Sequence, residues 1–117
     1  CQGIEACEVS FAGADLGACD FSRSTIRETD FSQANMSEAK LYRCDLYGSN
    51  LERASLIRAK LEKTDLRGTK VSGADFTDAR VSWADFRGIS DLSQEQLDKV
   101  EKGFRGDEPE LPDGLFL

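Results

Sequence analysis

Six basic residues recur at intervals of 20 positions, in two series that a suitable fold would place side by side. The two series are Arg23, Arg43 and Lys63, and Lys40, Lys60 and Arg80. Trp83 continues the first series, and Tyr42 precedes Arg43. Guanidinium and ammonium groups bind carboxylates and phosphates, and aromatic residues are enriched at recognition surfaces. These eight residues therefore form a candidate interaction surface for an anionic or mixed-charge protein partner.

Catalytic chemistry has little support in the composition. The chain contains no His, which removes the commonest general base and metal ligand. Its 22 Asp and Glu residues are plentiful, but the sequence has no Gly-rich phosphate loop, Walker motif or metal-ligand spacing. We therefore predict a protein that is not an enzyme and that carries no metal or cofactor.

The element that must position the basic residues is a repeat of five residues. From position 11 to position 86, a large apolar residue occupies every fifth position: Phe11, Leu16, Phe21, Ile26, Phe31, Met36, Leu41, Leu46, Leu51, Leu56, Leu61, Leu66, Val71, Phe76, Val81 and Phe86. A mostly small residue stands two places before each of them. An amphipathic helix repeats at about 3.6 residues and a strand at about 2, so neither explains this register. A fixed period of this kind indicates a repeat architecture.

Each five-residue unit predicts a short extended segment followed by a turn. We number every unit from its large residue, position i. The side chains at positions i−2 and i point to the same side of an extended segment. The chain must then turn, through mostly polar positions, before the small residue of the next unit points inward again. Four right-angle turns close a square coil of 20 residues, so residues 9–88 predict four coils. Successive coils then stack about 4.8 Å apart like parallel strands, which aligns positions 20 apart.

The residues at the predicted corners agree with this geometry. Five glycines fall at position i+2, where a tight turn most needs freedom of φ: Gly13, Gly48, Gly68, Gly73 and Gly88. Nine Asp or Asn residues fall at position i−1: Asp15, Asp20, Asp30, Asn35, Asp45, Asn50, Asp65, Asp75 and Asp85. A short acceptor side chain at that position can accept a hydrogen bond from a nearby backbone amide at the corner.

Units such as 14–18 (ADLGA), 74–78 (ADFTD) and 84–88 (ADFRG) closely resemble the pentapeptide-repeat family. The resemblance implies an all-β solenoid, a right-handed quadrilateral parallel β-helix; the handedness follows from the resemblance alone. In this family a similar helix followed by a Leu-Pro segment often follows the last coil. Some members resemble B-form DNA in shape and charge and protect type II topoisomerases from quinolones.

The C-terminal residues 89–117 predict a cap over the last coil. Ser93 and Gln96 fit a capping box, and Leu92 with Leu97 fits a hydrophobic staple, so we expect a short helix over 94–102. Gly103 suits the position after its end. Leu97, Val100 and Phe104 would cover the last coil, and residues 109–115 would form an irregular strap. Residues 1–8 fit the repeat poorly and are interpreted as an N-terminal cap or a degenerate repeat.

The four cysteines divide into two pairs. Cys19 and Cys44 occupy i−2 positions, so we expect buried thiols that fill the core and do not bridge each other. Cys1 and Cys7 lie outside the repeat. They leave open a terminal disulfide, an incidental chain end or, for Cys1, the lipid-bearing first residue of a mature bacterial lipoprotein.

The net charge of −7 is unevenly distributed. Residues 9–88 are neutral, whereas residues 1–8 and 89–117 contribute −2 and −5. Within the repeat, the side built on Phe21, Leu41, Leu61 and Val81 sets six cations against Asp20 and Glu62, a net +4. The side built on Leu16, Met36, Leu56 and Phe76 has a net −3. One side is therefore basic, and either it binds a partner or it is a solvated surface that keeps the solenoid soluble.

The sequence favours a non-catalytic scaffold that mediates protein–protein interaction through this side, on which Tyr42 and Trp83 are expected to project outward. The alternative is a DNA-mimicking, topoisomerase-interacting protein of the quinolone-resistance type, although such mimicry needs acidic flanks. Direct nucleic-acid binding conflicts with a pI near 4.6. We expect a monomer or an end-to-end dimer.

The sequence says less about whether the chain is part of a longer protein and about its cellular location. The first residue is not Met, so we expect a fragment, a processed form or a domain of a longer protein. There is no apolar run of the roughly 18 residues that a transmembrane helix needs. A cytoplasmic location is slightly favoured, with secreted, lumenal or lipoprotein forms left open.

Overall fold

The chain forms a stacked coil with a period of 20 residues. The computed structural model describes residues 10–101 and 108–115; the predicted N-terminal cap, Cys1 and Cys7 lie outside these ranges. Twelve parallel β-bridges join residues 20 positions apart, in four ladders: 10–30–50–70, 15–35–55–75, 20–40–60–80 and 25–45–65–85. Regular pairing within the described ranges is confined to such single-residue bridges, so each side of the coil contributes very short strands. The four ladders define four sides.

Two adjacent sides of the coil carry the two tyrosines and the tryptophan of the chain. The "basic face" consists of residues 19–23, 39–43, 59–63 and 79–83. The "arginine face" consists of residues 24–28, 44–48, 64–68 and 84–88, and it is the next side along the chain. Backbone hydrogen bonds lock the sides of successive coils together, for example from the Phe21 nitrogen to the Lys40 oxygen at 2.8 Å and from the Lys40 nitrogen to the Cys19 oxygen at 2.8 Å.

The corners are tight turns of one recurring type. In most of them, the amide at i+3 donates to the carbonyl at i, as from Ala54 to Leu51 at 3.0 Å. After Ile26, the Thr29 amide donates instead to the Ser49 hydroxyl at 3.1 Å. The residue at i+2 has a positive φ, which is the geometry of a type II turn. Gly73 has a φ of 71°, and a Cβ there would lie 3.2 Å from the Cγ of Arg53. The prediction that glycine serves this position is confirmed, but eleven residues with side chains adopt the same conformation.

The predicted role of Asp and Asn at i−1 is confirmed at all nine positions. In each unit the side-chain Oδ1 accepts a hydrogen bond from the amide two residues later, at 2.9–3.2 Å. Ser10 makes a similar contact through its hydroxyl, at 3.3 Å. Each such bond orders one corner of the coil, and a hydrogen bond of this kind contributes about 0.5–1.5 kcal/mol.

The core is a continuous column of large side chains along the axis. All fourteen large residues of the repeat from Phe21 to Phe86 are buried, while Phe11 and Leu16, near the N-terminal end of the described residues, are partly buried. Polar residues at i−2 are satisfied inside the coil; the Ser49 hydroxyl, for example, donates to the Ile26 carbonyl at 2.9 Å.

The two cysteines at i−2 positions differ in burial. Both are free thiols, but only Cys44 is buried, and the prediction of burial was wrong for Cys19, which is half-buried. Cys19 lies among the first units of the described chain, where Phe11 and Leu16 are also incompletely covered. Burial raises the pKa of the Cys44 thiol to about 12, so this thiol stays protonated and serves as a small apolar group.

The C-terminal segment contains α1, Gln94–Asp98, which begins with a capping box formed by Ser93 and Gln96. The helix is shorter than the predicted 94–102. After Asp98 the backbone pairs with the coil instead, since the Lys99 carbonyl accepts from the Asp78 amide at 2.8 Å and the Glu101 amide donates to the Ala79 carbonyl at 3.0 Å. The predicted helix end at Lys102 and the contacts of Gly103 and Phe104 lie outside the described residues.

The segment after the coil satisfies backbone groups at the top of the last rung. Leu97 and Val100 are buried against it. The Asp91 carboxylate accepts from the Val71 and Ser72 amides at 3.1–3.2 Å. Residues 109–115, predicted as irregular, include one regular pairing, a parallel bridge from Glu110 to Asp85. None of the helices in the described part of the chain has the length and apolar character that crossing a bilayer requires.

Candidate interaction surface

The structure places all eight predicted interaction residues on the basic face; seven of them form two columns parallel to the axis, and Tyr42 lies between the columns at position i+1. The "corner column" consists of Lys40, Lys60 and Arg80 at position i−1, joined by parallel bridges. The "turn column" consists of Arg23, Arg43, Lys63 and Trp83 at position i+2. Backbone hydrogen bonds hold its residues in register, since the amide of each of the three cations donates to the carbonyl that precedes the next column member, at 2.8–3.0 Å.

Two aromatic rings hold the ammonium group of Lys63. Its Nζ lies 4.5 Å from the centre of the Trp83 ring and 6.0 Å from that of Tyr42. The guanidinium of Arg43 lies 5.3 Å from the Tyr42 ring as well. Such contacts contribute about 0.5–1 kcal/mol at exposed sites, and they fix the direction in which a flexible lysine points. Arg43 and Lys63 are therefore pre-ordered.

The two aromatic residues of the basic face are not equally exposed. Trp83 is 53% exposed, but Tyr42, expected to project outward, is half-buried beneath its cationic neighbours. Desolvation alone would raise the pKa of the Tyr42 hydroxyl, yet the interactions with Arg43 and Lys63 outweigh it and lower that pKa below its usual range. Tyr42 thus supports the cations rather than offering a free ring.

The corner column departs from the rule that governs most other corners. Lysine and arginine have no hydrogen-bond acceptor. Accordingly, no side chain in the described ranges accepts from the amides of Tyr42, Glu62 or Ser82, which follow the three cations by two positions. The same substitution occurs at Lys70 on the opposite side, but there Asp91 supplies the acceptor to the Ser72 amide. The basic face alone repeats the loss in three successive coils.

One end of the corner column is less basic than the count over residues 9–88 suggests. Glu101, which follows the repeat, forms an ion pair with Arg80 at 3.1 Å. Lys60 and Arg80 line a groove of about 500 Å³ together with Arg58 and three carboxylates, those of Glu38, Asp78 and Glu101. This groove is electrically mixed, so the strongly basic part of the face is the turn column with Lys40.

The arginine face contains a second ladder of aromatic and cationic residues that the sequence reasoning missed. It consists of Arg27, Tyr47, Arg67 and Arg87, all at position i+1 and 20 residues apart. Tyr47 is 41% exposed, and the guanidiniums of Arg27 and Arg67 lie 5.4 and 5.6 Å from its ring centre. The 20-residue spacing could have revealed this ladder, but the near-zero charge of the side concealed it.

Each arginine of this second ladder has a carboxylate partner. Arg67 binds Asp65 through two hydrogen bonds of 2.8–2.9 Å, and Arg87 binds Asp85 in the same way. Arg27 reaches Asp45 of the next coil at 2.7 Å. The hydrogen bond from Arg87 lowers the pKa of the Asp85 carboxyl. The positive charges of this ladder are therefore neutralised by aspartates of the same face.

A further cleft lies beside α1, outside the two faces. The cleft, of about 420 Å³, separates α1 from residues 72–76 and is lined by Asp75, Asp91, Glu95 and Lys99. Among the described residues, no group of three or more His, Cys, Asp or Glu side chains is placed to hold a metal ion.

Comparison with known families gives a match over most of the repeat. A family model described as pentapeptide repeats matches residues 7–41, 34–73 and 54–94, with eight copies. No curated protein sequence matches the chain significantly.

Solved structures of pentapeptide-repeat proteins are similar to this chain. HetL, from the cyanobacterium Nostoc and involved in the regulation of heterocyst differentiation, is 32% identical with a TM-score of 0.72, over 74% of this chain and 36% of HetL. Rfr23, from the cyanobacterium Cyanothece, is 26% identical with a TM-score of 0.68, over 68% and 54% of the two chains. A protein from the thylakoid lumen of Arabidopsis thaliana shares the fold, with a TM-score of 0.68 at 24% identity over 81% and 72%. The chain spans about a third of HetL and about half of Rfr23.

Proposed function

Because the chain belongs to the pentapeptide-repeat family, whose members form right-handed quadrilateral β-helices, we propose that it is a non-catalytic scaffold that binds a protein partner through the basic face. The proposed scaffold has four coils over residues 9–88, and residues 89–117 cap its C-terminal end. Only positions i and i−2 are fixed by packing, so the outward positions are free to carry a binding surface. The proposed partner offers carboxylates to Arg23, Arg43, Lys63 and Lys40.

The observation that carries this proposal is the loss of turn acceptors along the corner column. Asp or Asn at position i−1 orders nine corners, eight on the other three sides and one at Asp20 in the first coil of the basic face. The basic face gives up this bond in three successive coils and gains positive charge. A local rule broken repeatedly on one side, without a compensating contact, is typical of a functional surface.

The basic face can be tested by charge reversal. In pull-downs from an extract of the source organism, we expect Arg43→Glu with Lys63→Glu to lose the bound partner. Glu28 and Glu38 already occupy position i+2 with φ of 53° and 61°, so glutamate fits these two corners. The control is Arg53→Glu with Lys70→Glu, the same charge change on the opposite side, which should retain the partner. Equal capture by both double variants would refute the proposal.

The charge pattern argues against the DNA-mimic alternative. Mimicry of a duplex requires negative charge along the flanks of the solenoid, whereas the basic face has a net +4 within the repeat. The arginine face is near neutral, and negative charge within the repeat is concentrated on the one side built on Leu16, Met36, Leu56 and Phe76, with a net −3. A gyrase supercoiling assay with titrated protein tests this directly, and no inhibition is expected.

A further inference from the structure

The geometry of the basic face also points to the kind of element that the partner presents. Resting on the proposed function, we propose that the partner docks an acidic α-helix along the axis of the solenoid. Its carboxylates would occupy one stripe and contact successive members of the turn column. Three features support this helix: the spacing of the cations, the state of the aromatic rings and the charge on the flanks.

The spacing of the turn column matches successive turns of an α-helix. The three cations Arg23, Arg43 and Lys63 lie on consecutive rungs, which are about 4.8 Å apart, so the column spans about 9.6 Å. Carboxylates at positions i, i+4 and i+7 of a helix span about 10.5 Å. Same-side residues of an extended strand lie about 6.7 Å apart and span about 13 Å over three residues. The helix therefore matches the length of the column to within about 1 Å, whereas the strand exceeds it by about 3 Å.

The aromatic rings favour a carboxylate partner over a single-stranded nucleic acid. Nucleic-acid surfaces of this type stack bases on open aromatic faces. Here the Tyr42 ring is already covered by Arg43 and Lys63, and the Trp83 ring is contacted by Lys63. A base that stacks on the Tyr42 ring would have to displace these cations, and one that stacks on Trp83 is limited to the side of the ring that Lys63 does not contact. A carboxylate instead binds the cations in the positions that the rings already fix. This lowers the entropic cost of ordering their side chains on binding.

The flanks of the column limit the acidic helix to one path. On one flank lies the mixed-charge groove, whose Glu38, Asp78 and Glu101 would repel an acidic partner. On the other flank, the arginines of the arginine face are already paired with aspartates. The turn column is therefore the ridge on which an acidic stripe meets the least repulsion.

Two synthetic peptides of identical composition test this proposal. One carries glutamates at i, i+4, i+7 and i+11 of a stabilised helix, and the other distributes the same glutamates around the helix. We expect fluorescence anisotropy to show at least tenfold tighter binding of the striped peptide. Arg43→Glu or Lys63→Glu should each weaken binding of the striped peptide tenfold or more, whereas Arg53→Glu, at the same repeat position on the opposite side, should leave it unchanged.

The outcomes separate this inference from the proposed function. Equal binding of both peptides, still sensitive to Lys63→Glu, would overturn the helix and leave an acid-binding face intact. The proposal of a helical partner would also be refuted, while the proposed binding role of the basic face would stand, if neither peptide binds but the pull-down still depends on Arg43 and Lys63. Tighter binding of a 12-nucleotide single-stranded DNA than of the striped peptide, abolished by Lys63→Glu, would overturn both.

Discussion

The basic face and the arginine face use similar residues in opposite ways. Both stack cations and aromatic rings at 20-residue intervals, and both rest on the same buried column of large side chains. On the arginine face, Asp45, Asp65 and Asp85 at position i−1 accept from the turn amides and also bind arginines. On the basic face, the same repeat position in the same coils carries Lys40, Lys60 and Arg80.

The residue at position i−1 determines whether the corner amides and the charges of a side are paired within that same side. An aspartate there closes the corner and neutralises a neighbouring arginine, so the side needs no partner. A lysine there leaves the corner amide without a side-chain acceptor and leaves the positive charge available. Under the proposed function, a cation at i−1 exchanges local stability for binding capacity.

The largest expected effect is on the core, where the two faces should behave alike. Leu61 lies beneath the basic face and Leu66 beneath the arginine face, and both are fully buried. Leu61→Ala and Leu66→Ala should each reduce the free energy of unfolding by about 2–5 kcal/mol, measured by urea denaturation. A loss below about 1 kcal/mol at either site would contradict a shared axial core.

Acid should affect the arginine face more than the basic face. The pKa of the Asp85 carboxyl is lowered by its hydrogen bond with Arg87; for Asp65, desolvation raises the pKa but Arg67 outweighs it. A lowered folded pKa gives stability that is complete above the unfolded pKa of about 3.9 and is lost as the pH falls through the folded value. Stability should therefore fall below about pH 4.

This acid dependence can be assigned to the ladder by substitution. Asp65→Asn with Asp85→Asn keeps the turn acceptors but removes the titrating charges, so the urea midpoint should change less between pH 5 and pH 2 than in the unmodified protein. Asp78→Asn, a charge change outside the ladder, should leave the pH dependence unchanged. An unaltered dependence in the double variant would place the acid-sensitive groups elsewhere.

Much of the fold could be predicted from the sequence because one short period governs both packing and turns. The register of five residues places the core at position i, and the chemistry of Asp and Asn explains the corners, as at Asn50, whose Oδ1 accepts from Glu52. The start of α1 after Ser93 follows from local capping chemistry.

The features that escaped prediction depend on contacts that the period does not encode. The helix ends at Asp98 because the backbone beyond it pairs with the coil. The path of that segment also brings Glu101 to Arg80, which no count over the repeat could include. The ladder around Tyr47 was missed because opposite charges cancelled in the sum for that side.

The smallest predicted effect, and the most direct test of the central claim, is the conversion of one corner type into the other. Lys40→Asn should restore a turn acceptor for the Tyr42 amide and raise the free energy of unfolding by about 0.5–1 kcal/mol. The same variant should bind the partner, or the striped acidic peptide, more weakly. Lys70→Asn is the matched control, since Asp91 already serves the Ser72 amide there, and it should change neither quantity.

The decisive measurement is the pair of values, unfolding free energy and binding affinity, for Lys40→Asn on one protein preparation. The account predicts a gain in stability together with a loss of affinity. A variant that is less stable than the unmodified protein, or that is stabilised but binds equally well, would contradict the claim that the basic face exchanges corner stability for binding.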